Sequence, residues 1–89
     1  MENQQAQEIA NLVRKKKYEK AYLVGKTVLK SDPNNKEVLE SLYSLTAKLR
    51  SESMDFASKK ANYSAISSFE ILLQKVNELT GQDMYGNFN

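Results

Sequence analysis

One proline fixes the helix boundaries of this chain. Pro33 is the only proline among 89 residues, and it lies between two stretches whose apolar residues repeat with helical spacing. Proline has no backbone amide donor, so it suits the first turn of a helix and is excluded from a helix interior. The sequence therefore predicts a helix that ends before Pro33 and another that begins between Pro33 and Lys36.

Apolar side chains on both sides of this proline recur three and four residues apart, which aligns them on one helical face. The earlier face consists of Tyr18, Ala21, Tyr22, Gly25, Val28 and Leu29. The later face is a narrower stripe, typical of a bundle or coiled-coil seam, made of Val38, Leu42, Leu45 and Leu49. The cap of the later helix is expected to be Asp32, or Asn34 with Glu37.

Two further helices are predicted nearer the chain ends. The first spans residues 4–17, with a stripe of Ala6, Ile9, Ala10 and Val13. The last spans about 63–79 and stops at Gly81, with a broad stripe of Ile66, Phe69, Leu72, Leu73, Val76 and Leu79. Between them, residues 51–62 contain few apolar anchors and fit either a loop or a continued helix.

These elements predict an all-α fold, a small bundle of three to four helices. A length of 89 residues allows one domain with a limited core of its own, and we assign residues 1–81 to a single helical domain. Residues 82–89 have no helical period and are expected to form a flexible tail. The alternative is a docking peptide that uses Met84, Tyr85 and Phe88.

Composition excludes several kinds of chemistry. The chain has no cysteine, histidine or tryptophan, so it lacks a disulfide framework, a thiolate nucleophile and the commonest general base and metal ligand. No group of carboxylates is arranged for catalysis. We therefore expect no enzyme, no catalytic residues, no cofactor and no metal site. With no apolar run long enough to span a membrane, the expected location is cytoplasmic.

Residues 18–45, about a third of the chain, resemble a known repeat. The motifs that carry the likeness are Tyr18-Glu19-Lys20-Ala21, Val28-Leu29 and Asp32-Pro33-Asn34-Asn35. They are similar to the second helix and closing turn of a tetratricopeptide repeat. Leu39 and Leu42 then match the opening of a following unit. The resemblance implies tetratricopeptide-like antiparallel helical hairpins.

The same resemblance implies a binding surface. In tetratricopeptide proteins the first helix of each hairpin lines a concave groove that receives a peptide or helix. On this chain the matching positions are Glu8, Asn11, Lys15, Glu40, Ser41 and Ser44. The lysine and asparagine pattern that clamps a terminal carboxylate in some members is absent from the third helix. Recognition of a chaperone tail is therefore not expected.

A second, weaker resemblance is to small bacterial helical regulators of the YlbF type. It is carried by a tyrosine-containing helix, the Asp-Pro turn, a leucine-rich helix and a closing Val76-Asn77 pair. Both resemblances imply a helical bundle.

Charge is concentrated in one stretch. Residues 14–30 hold seven bases and one acid, a local net charge of +6 in a chain whose net charge is +2. The densest part is a basic patch of Arg14, Lys15, Lys16, Lys17 and Lys20. Such a patch is usually a solvated helix face, but it also suits an acidic protein, a nucleic acid or an anionic surface.

Two functional hypotheses follow. The leading one is a small protein-protein interaction module, adaptor or chaperone-like, that binds a partner helix or peptide. It would use the stripes of the third and fourth helices, with a homodimer as a further expectation. The alternative is a small helical regulator that binds nucleic acid through the basic patch.

Overall fold

The structure is a computed structural model that describes residues 4–59 and 63–82. Within those ranges the chain forms four helices: α1 Gln4–Arg14, α2 Tyr18–Ser31, α3 Lys36–Lys59 and α4 Tyr63–Thr80. The predicted all-α class is confirmed. None of the described helices combines the length and apolar character that a membrane crossing requires.

The chain divides into two compact units, residues 1–45 and 46–89. Unit 1 holds α1, α2 and the first ten residues of α3, and unit 2 holds the rest of α3 together with α4. Each unit has its own buried residues and is described by itself. The assignment of residues 1–81 to one domain with a flexible 82–89 tail stays a prediction.

In unit 1, α1 and α2 form a hairpin joined by three lysines, 15–17. The amide of Lys17 donates to the Leu12 carbonyl at 2.8 Å, and that of Lys16 to the Val13 carbonyl at 3.0 Å. These two bonds are the pair that closes a Schellman motif at a helix end. They end α1 at Arg14. The predicted end, residue 17, is three residues too late, because the apolar repeat contains no information on backbone turn geometry.

The turn between α2 and α3 also differs from prediction in one detail. Helix α2 ends at Ser31 and α3 begins at Lys36, as the position of Pro33 required. The cap of α3, however, is Asn35, whose side-chain oxygen Oδ1 accepts from the Val38 amide at 3.1 Å. Since Pro33 lies in the turn and not in the first helical turn, the capping position falls on Asn35. The predicted Asp32 and Asn34 caps are wrong.

The buried residues of unit 1 come from all three helical segments. They are Ile9, Tyr18, Ala21, Gly25, Leu29, Val38, Leu42 and Leu45. All but one of the predicted stripe residues of this unit are buried or half-buried; the exception is Ala10, which is exposed. Ala10 lies on the polar side of α1, where alanine supports the helix through its high intrinsic propensity.

Gly25 sets the distance between α2 and α3. A Cβ atom built at this position would lie 2.7 Å from Leu42 Cδ2 and 3.0 Å from Leu42 Cγ, closer than carbon atoms pack. Leu42 has no exposed surface, so its side chain cannot swing outward. Glycine in a helix interior lowers helix stability by about 1 kcal/mol relative to alanine. Here the absence of a side chain allows the two helices to pack closely.

Substitution of Gly25 tests this contact. We expect Gly25→Ala to lower the free energy of unfolding by about 1 kcal/mol, because overpacking of about 1–3 kcal/mol exceeds the gain in helix propensity. In a Leu42→Ala background the same substitution should instead raise it, since the obstructing atoms are gone. Urea denaturation of the four variants measures both steps. A stabilising Gly25→Ala in the native background would contradict the close approach.

In unit 2, α3 and α4 contribute the apolar residues Leu49, Leu73 and Val76, each at most 3% exposed. Helix α3 continues to Lys59, so the open question about residues 51–62 is decided in favour of helix for 51–59; residues 60–62 lie outside the described ranges. Helix α4 ends one residue after its predicted limit. Gly81 stops it with a backbone φ of 82°, as expected for a C-terminal glycine.

Unit 2 also buries polar side chains. Thr46, Asn77 and Gln82 are 0%, 4% and 7% exposed. The Thr46 hydroxyl donates to the Gln82 side-chain oxygen Oε1 at 3.1 Å, and the Gln82 amide donates to the Asn77 carbonyl at 3.1 Å. Gln82, which the sequence placed in the tail, therefore packs against α3. The tail residues 83–89, with Met84, Tyr85 and Phe88, lie outside the described residues.

Removal of one partner tests the Thr46–Gln82 bond. We expect Thr46→Val to lower the free energy of unfolding by about 1–2 kcal/mol, because it leaves a buried amide oxygen without its donor. In a Gln82→Met background the cost should nearly vanish. Thr80→Val is the matched control, since the Thr80 hydroxyl bonds to its own helix at Val76. Thermal denaturation measures the free energy of unfolding of each variant. Equal decreases for Thr46→Val and Thr80→Val would contradict the role of the Thr46–Gln82 bond.

Candidate interaction surface

The residues implied by the tetratricopeptide likeness all fall in unit 1. Five of them are exposed: Glu8, Asn11, Lys15, Glu40 and Ser44. Glu8 and Asn11 lie on α1, Lys15 directly follows that helix, and the other two lie on α3. Their use as a binding face stays a prediction. The structure adds that none of these five side chains is needed to fill the core.

Ser41, the sixth residue of that set, is half-buried and has a structural contact. Its hydroxyl lies 3.2 Å from the carbonyl oxygen of Ala6 on α1 and 3.0 Å from that of Glu37 on its own helix. One hydroxyl proton serves one of these acceptors at a time. Ser41 thus lies where α1 meets α3, which places the two predicted halves of the groove on neighbouring helices.

The basic patch surrounds the end of α1 and the start of α2. Its members are all exposed: Arg14, Lys15, Lys16, Lys17 and Lys20. Within residues 4–59 and 63–82, no carboxylate lies within 4.0 Å of their charged groups. Cations beside the C-terminal carbonyls of α1 are favoured by the helix dipole. This applies to Arg14 and Lys15, whereas Lys17 and Lys20 lie at the start of α2, where the dipole disfavours cations. The patch is therefore a concentration of positive charge without a carboxylate partner among the described residues.

Among the described residues, the aromatic side chains next to this patch are not exposed on the surface. Tyr18 is buried at 6% exposure, and Tyr22 is half-buried beneath Lys26, whose Nζ lies 5.9 Å from the ring centroid. Nucleic-acid surfaces for single strands combine a basic groove with exposed aromatic platforms for base stacking. The patch offers phosphate contacts without that second component.

A shallow groove lies on the outer side of α2 in the same unit. It is open to solvent, has a volume of about 320 Å³ and is lined, among the described residues, by Gln5, Leu23, Val24, Thr27 and Val28; we call it the α2 groove. Leu23 is 49% exposed although leucines of the core stripe have almost no exposed surface. Gln5 comes from the start of α1 and Val28 from the end of α2, as antiparallel packing of the hairpin requires.

Thr27 makes this groove more apolar than its sequence indicates. The Thr27 hydroxyl donates to the Leu23 carbonyl within α2 at 2.9 Å. With its hydroxyl hydrogen bonded to the helix, Thr27 adds little polar character to the groove. Among the described residues the lining is therefore mainly aliphatic, and Gln5 is a polar member of it.

The apolar stripes of the sequence did not predict this groove. Leu23 and Val24 were apolar but lay off the stripe of Tyr18, Ala21 and Gly25, and that was the available signal. Leu23 is two residues from Gly25 and hence about 200° away around the helix axis. A leucine opposite the core face is the feature that marks a second, outward-facing surface on α2.

By contrast, the leucine stripe predicted to bind a partner or a second copy is buried within the chain. Val38, Leu42, Leu45 and Leu49 have no exposed surface. In the described part of the chain, no three carboxylates lie close enough together to hold a metal ion. Comparison of the chain with protein-family models, curated protein sequences and solved structures finds no match.

The backbone at Lys16 gives a prediction for the basic patch. Lys16 has a φ of 62°, the left-handed region that glycine occupies most easily. Since a side chain there costs about 1–2 kcal/mol, we expect Lys16→Gly to raise the free energy of unfolding by about 1 kcal/mol. Lys20→Gly, inside α2, should lower it by a similar amount. Urea denaturation measures both variants. Equal decreases in the free energy of unfolding for Lys16→Gly and Lys20→Gly would contradict the left-handed conformation at Lys16.

Proposed function

We propose that this chain is a small protein-protein interaction module that receives a partner helix or peptide in the α2 groove. The supporting observation is the half-exposed Leu23, which shares an open apolar groove with Val24 and Val28, whereas the α3 stripe has no exposed surface. Helix-in-groove recognition needs such an apolar trough on a preformed helical surface. An adaptor or chaperone-like role is included in this proposal.

The size of the groove fits a short contact. Leu23 and Val28 are five residues apart, which corresponds to about 7.5 Å along the helix axis. That length accommodates two apolar side chains spaced three or four residues apart on a partner helix. A groove of about 320 Å³ lies at the lower limit of typical binding pockets, so the proposal is for a peptide-sized contact.

A nucleic-acid-binding regulator remains the second candidate, because five exposed bases lie together without a described carboxylate partner. Counterion release would then dominate affinity and make it fall steeply with salt. The α2 groove has no role in such a protein. The two candidates therefore use different residues and can be tested separately.

Site-specific photocrosslinking distinguishes them. A benzophenone amino acid is placed at Thr27, in the groove, or at Ser68, an exposed α4 residue whose hydroxyl likewise bonds four residues back within its helix. In the native host we expect discrete protein adducts from position 27 and background from position 68. Leu23→Ser should remove those adducts, because it removes the apolar centre of the groove.

The result that would overturn the proposal is an identical adduct pattern from both positions. Salt-titrated binding to DNA and RNA completes the comparison. The regulator is identified instead by three results together: nucleic-acid binding that weakens steeply with salt, loss of that binding in the Lys15→Glu plus Lys16→Glu variant, and no adducts at position 27.

A further inference from the structure

We infer that the occupant of the α2 groove is an acidic amphipathic helix of another protein. This inference rests on the proposed function and adds the chemistry of the partner. It depends on three features of unit 1: the aliphatic floor of the groove, the lysines at its two ends, and the sign of the surrounding charge.

The floor determines the apolar part of the partner. Leu23, Val24 and Val28 present only carbon atoms from their side chains, and the Thr27 hydroxyl is held by the Leu23 carbonyl. A strongly hydrated group placed there would lose water without gaining a hydrogen bond. The centre of the partner is therefore a pair of leucine-like or aromatic side chains three or four residues apart.

Two lysines determine the flanks. Lys20 precedes Leu23 by three residues and Val24 by four, so it lies one turn before the groove on the same side of α2. Lys30 follows Thr27 by three residues and lies one turn beyond it. Both are exposed, and within the described ranges neither has a carboxylate within 4.0 Å. They are ten residues apart, about 15 Å along the axis.

The wider field has the same sign. Residues 14–30 carry a net charge of +6. Their single acid, Glu19, precedes Leu23 by four residues, so it lies beside Lys20 and offsets part of the charge at that end of the groove. Lys26 does not add to the rim of the groove, because its Nζ lies over the Tyr22 ring at 5.9 Å. A basic partner helix would be repelled by the lysines at the ends of the groove, and a neutral one would gain no electrostatic attraction. A helix with carboxylates before and after its apolar pair would place them opposite Lys20 and Lys30.

A second copy of this chain is a poorer occupant. A two-fold dimer through the groove would bring the same basic stretch of each copy together, since such interfaces are self-complementary in position. The other exposed large apolar residues on described helix faces are Met54 of α3, 72% exposed, and Ile71 of α4, 54% exposed; neither has a second large apolar residue three or four positions away in the sequence. Neither supplies the required apolar pair.

The test is selection from a displayed library of helical peptides about 18 residues long. Two central pairs of positions vary among Leu, Phe, Ala and Ser, and the flanking surface positions vary among Glu, Gln and Lys. The full chain is the target, and Leu23→Ser is the counter-target. We expect enriched peptides with an apolar pair three or four residues apart and glutamates on both flanks.

A synthetic copy of the most enriched peptide is then titrated against variants by fluorescence anisotropy. Lys20→Glu plus Lys30→Glu should weaken binding about tenfold, and Leu23→Ser at least as much. The matched controls on α4, Ile71→Ser and Lys75→Glu, should leave affinity unchanged. Circular dichroism of each variant establishes that it is folded.

The alternative outcomes are distinguishable. Enrichment of neutral or basic peptides that Leu23→Ser abolishes overturns the acidic partner while the interaction module stands. Enrichment that is identical on the counter-target, or none at all, overturns the acidic helix as the occupant. Crosslinking at position 27 then decides separately whether the groove receives another kind of protein. A Leu23-dependent dimer in sedimentation identifies a second copy as the occupant and also overturns the inference.

Discussion

The approach of α2 to α3 at Gly25 determines how unit 1 is built. With no Cβ at this position, the Leu42 side chain lies directly against the α2 backbone. The residues one turn away on each side, Ala21 and Leu29, are buried on the same face. A helix that packs this closely through a small residue commits one narrow face to the core. The opposite face of α2 carries Leu23, which is 49% exposed.

Most of the fold follows from periodicity and breakers in the sequence. The apolar repeat identified all four helices, and Pro33 and Gly81 located the ends of α2 and α4 to within a residue. Errors occurred where the boundary depends on backbone hydrogen bonds. The end of α1 is closed by Lys16 in a conformation usually reserved for glycine. Asn34 and Asn35 are chemically equivalent as caps, so only the turn geometry decides between them.

The candidate site was harder to predict for a different physical reason. A core can be predicted because many apolar residues share one helical face. A groove consists of only a few apolar residues, and some of the residues that line it belong to another helix. Gln5 contributes to the α2 groove from α1, and no sequence spacing relates it to Val28. Thr27 reads as polar, yet its hydroxyl bonds to the helix backbone. The basic patch, by contrast, was evident because charge needs no tertiary contact to be counted.

Exposure alone does not separate a binding residue from an incidental one, since scattered apolar residues are normal on protein surfaces. Leu23 and Ile71 are exposed to nearly the same degree, 49% and 54%. They differ in their neighbours: Leu23 shares a concave surface with two valines, and Ile71 stands alone among polar residues. Concavity lets one partner side chain contact several aliphatic groups at once and excludes water from all of them. Under the proposed function, the lysines at the two ends of the groove would favour apolar helices that carry carboxylates beside the contact.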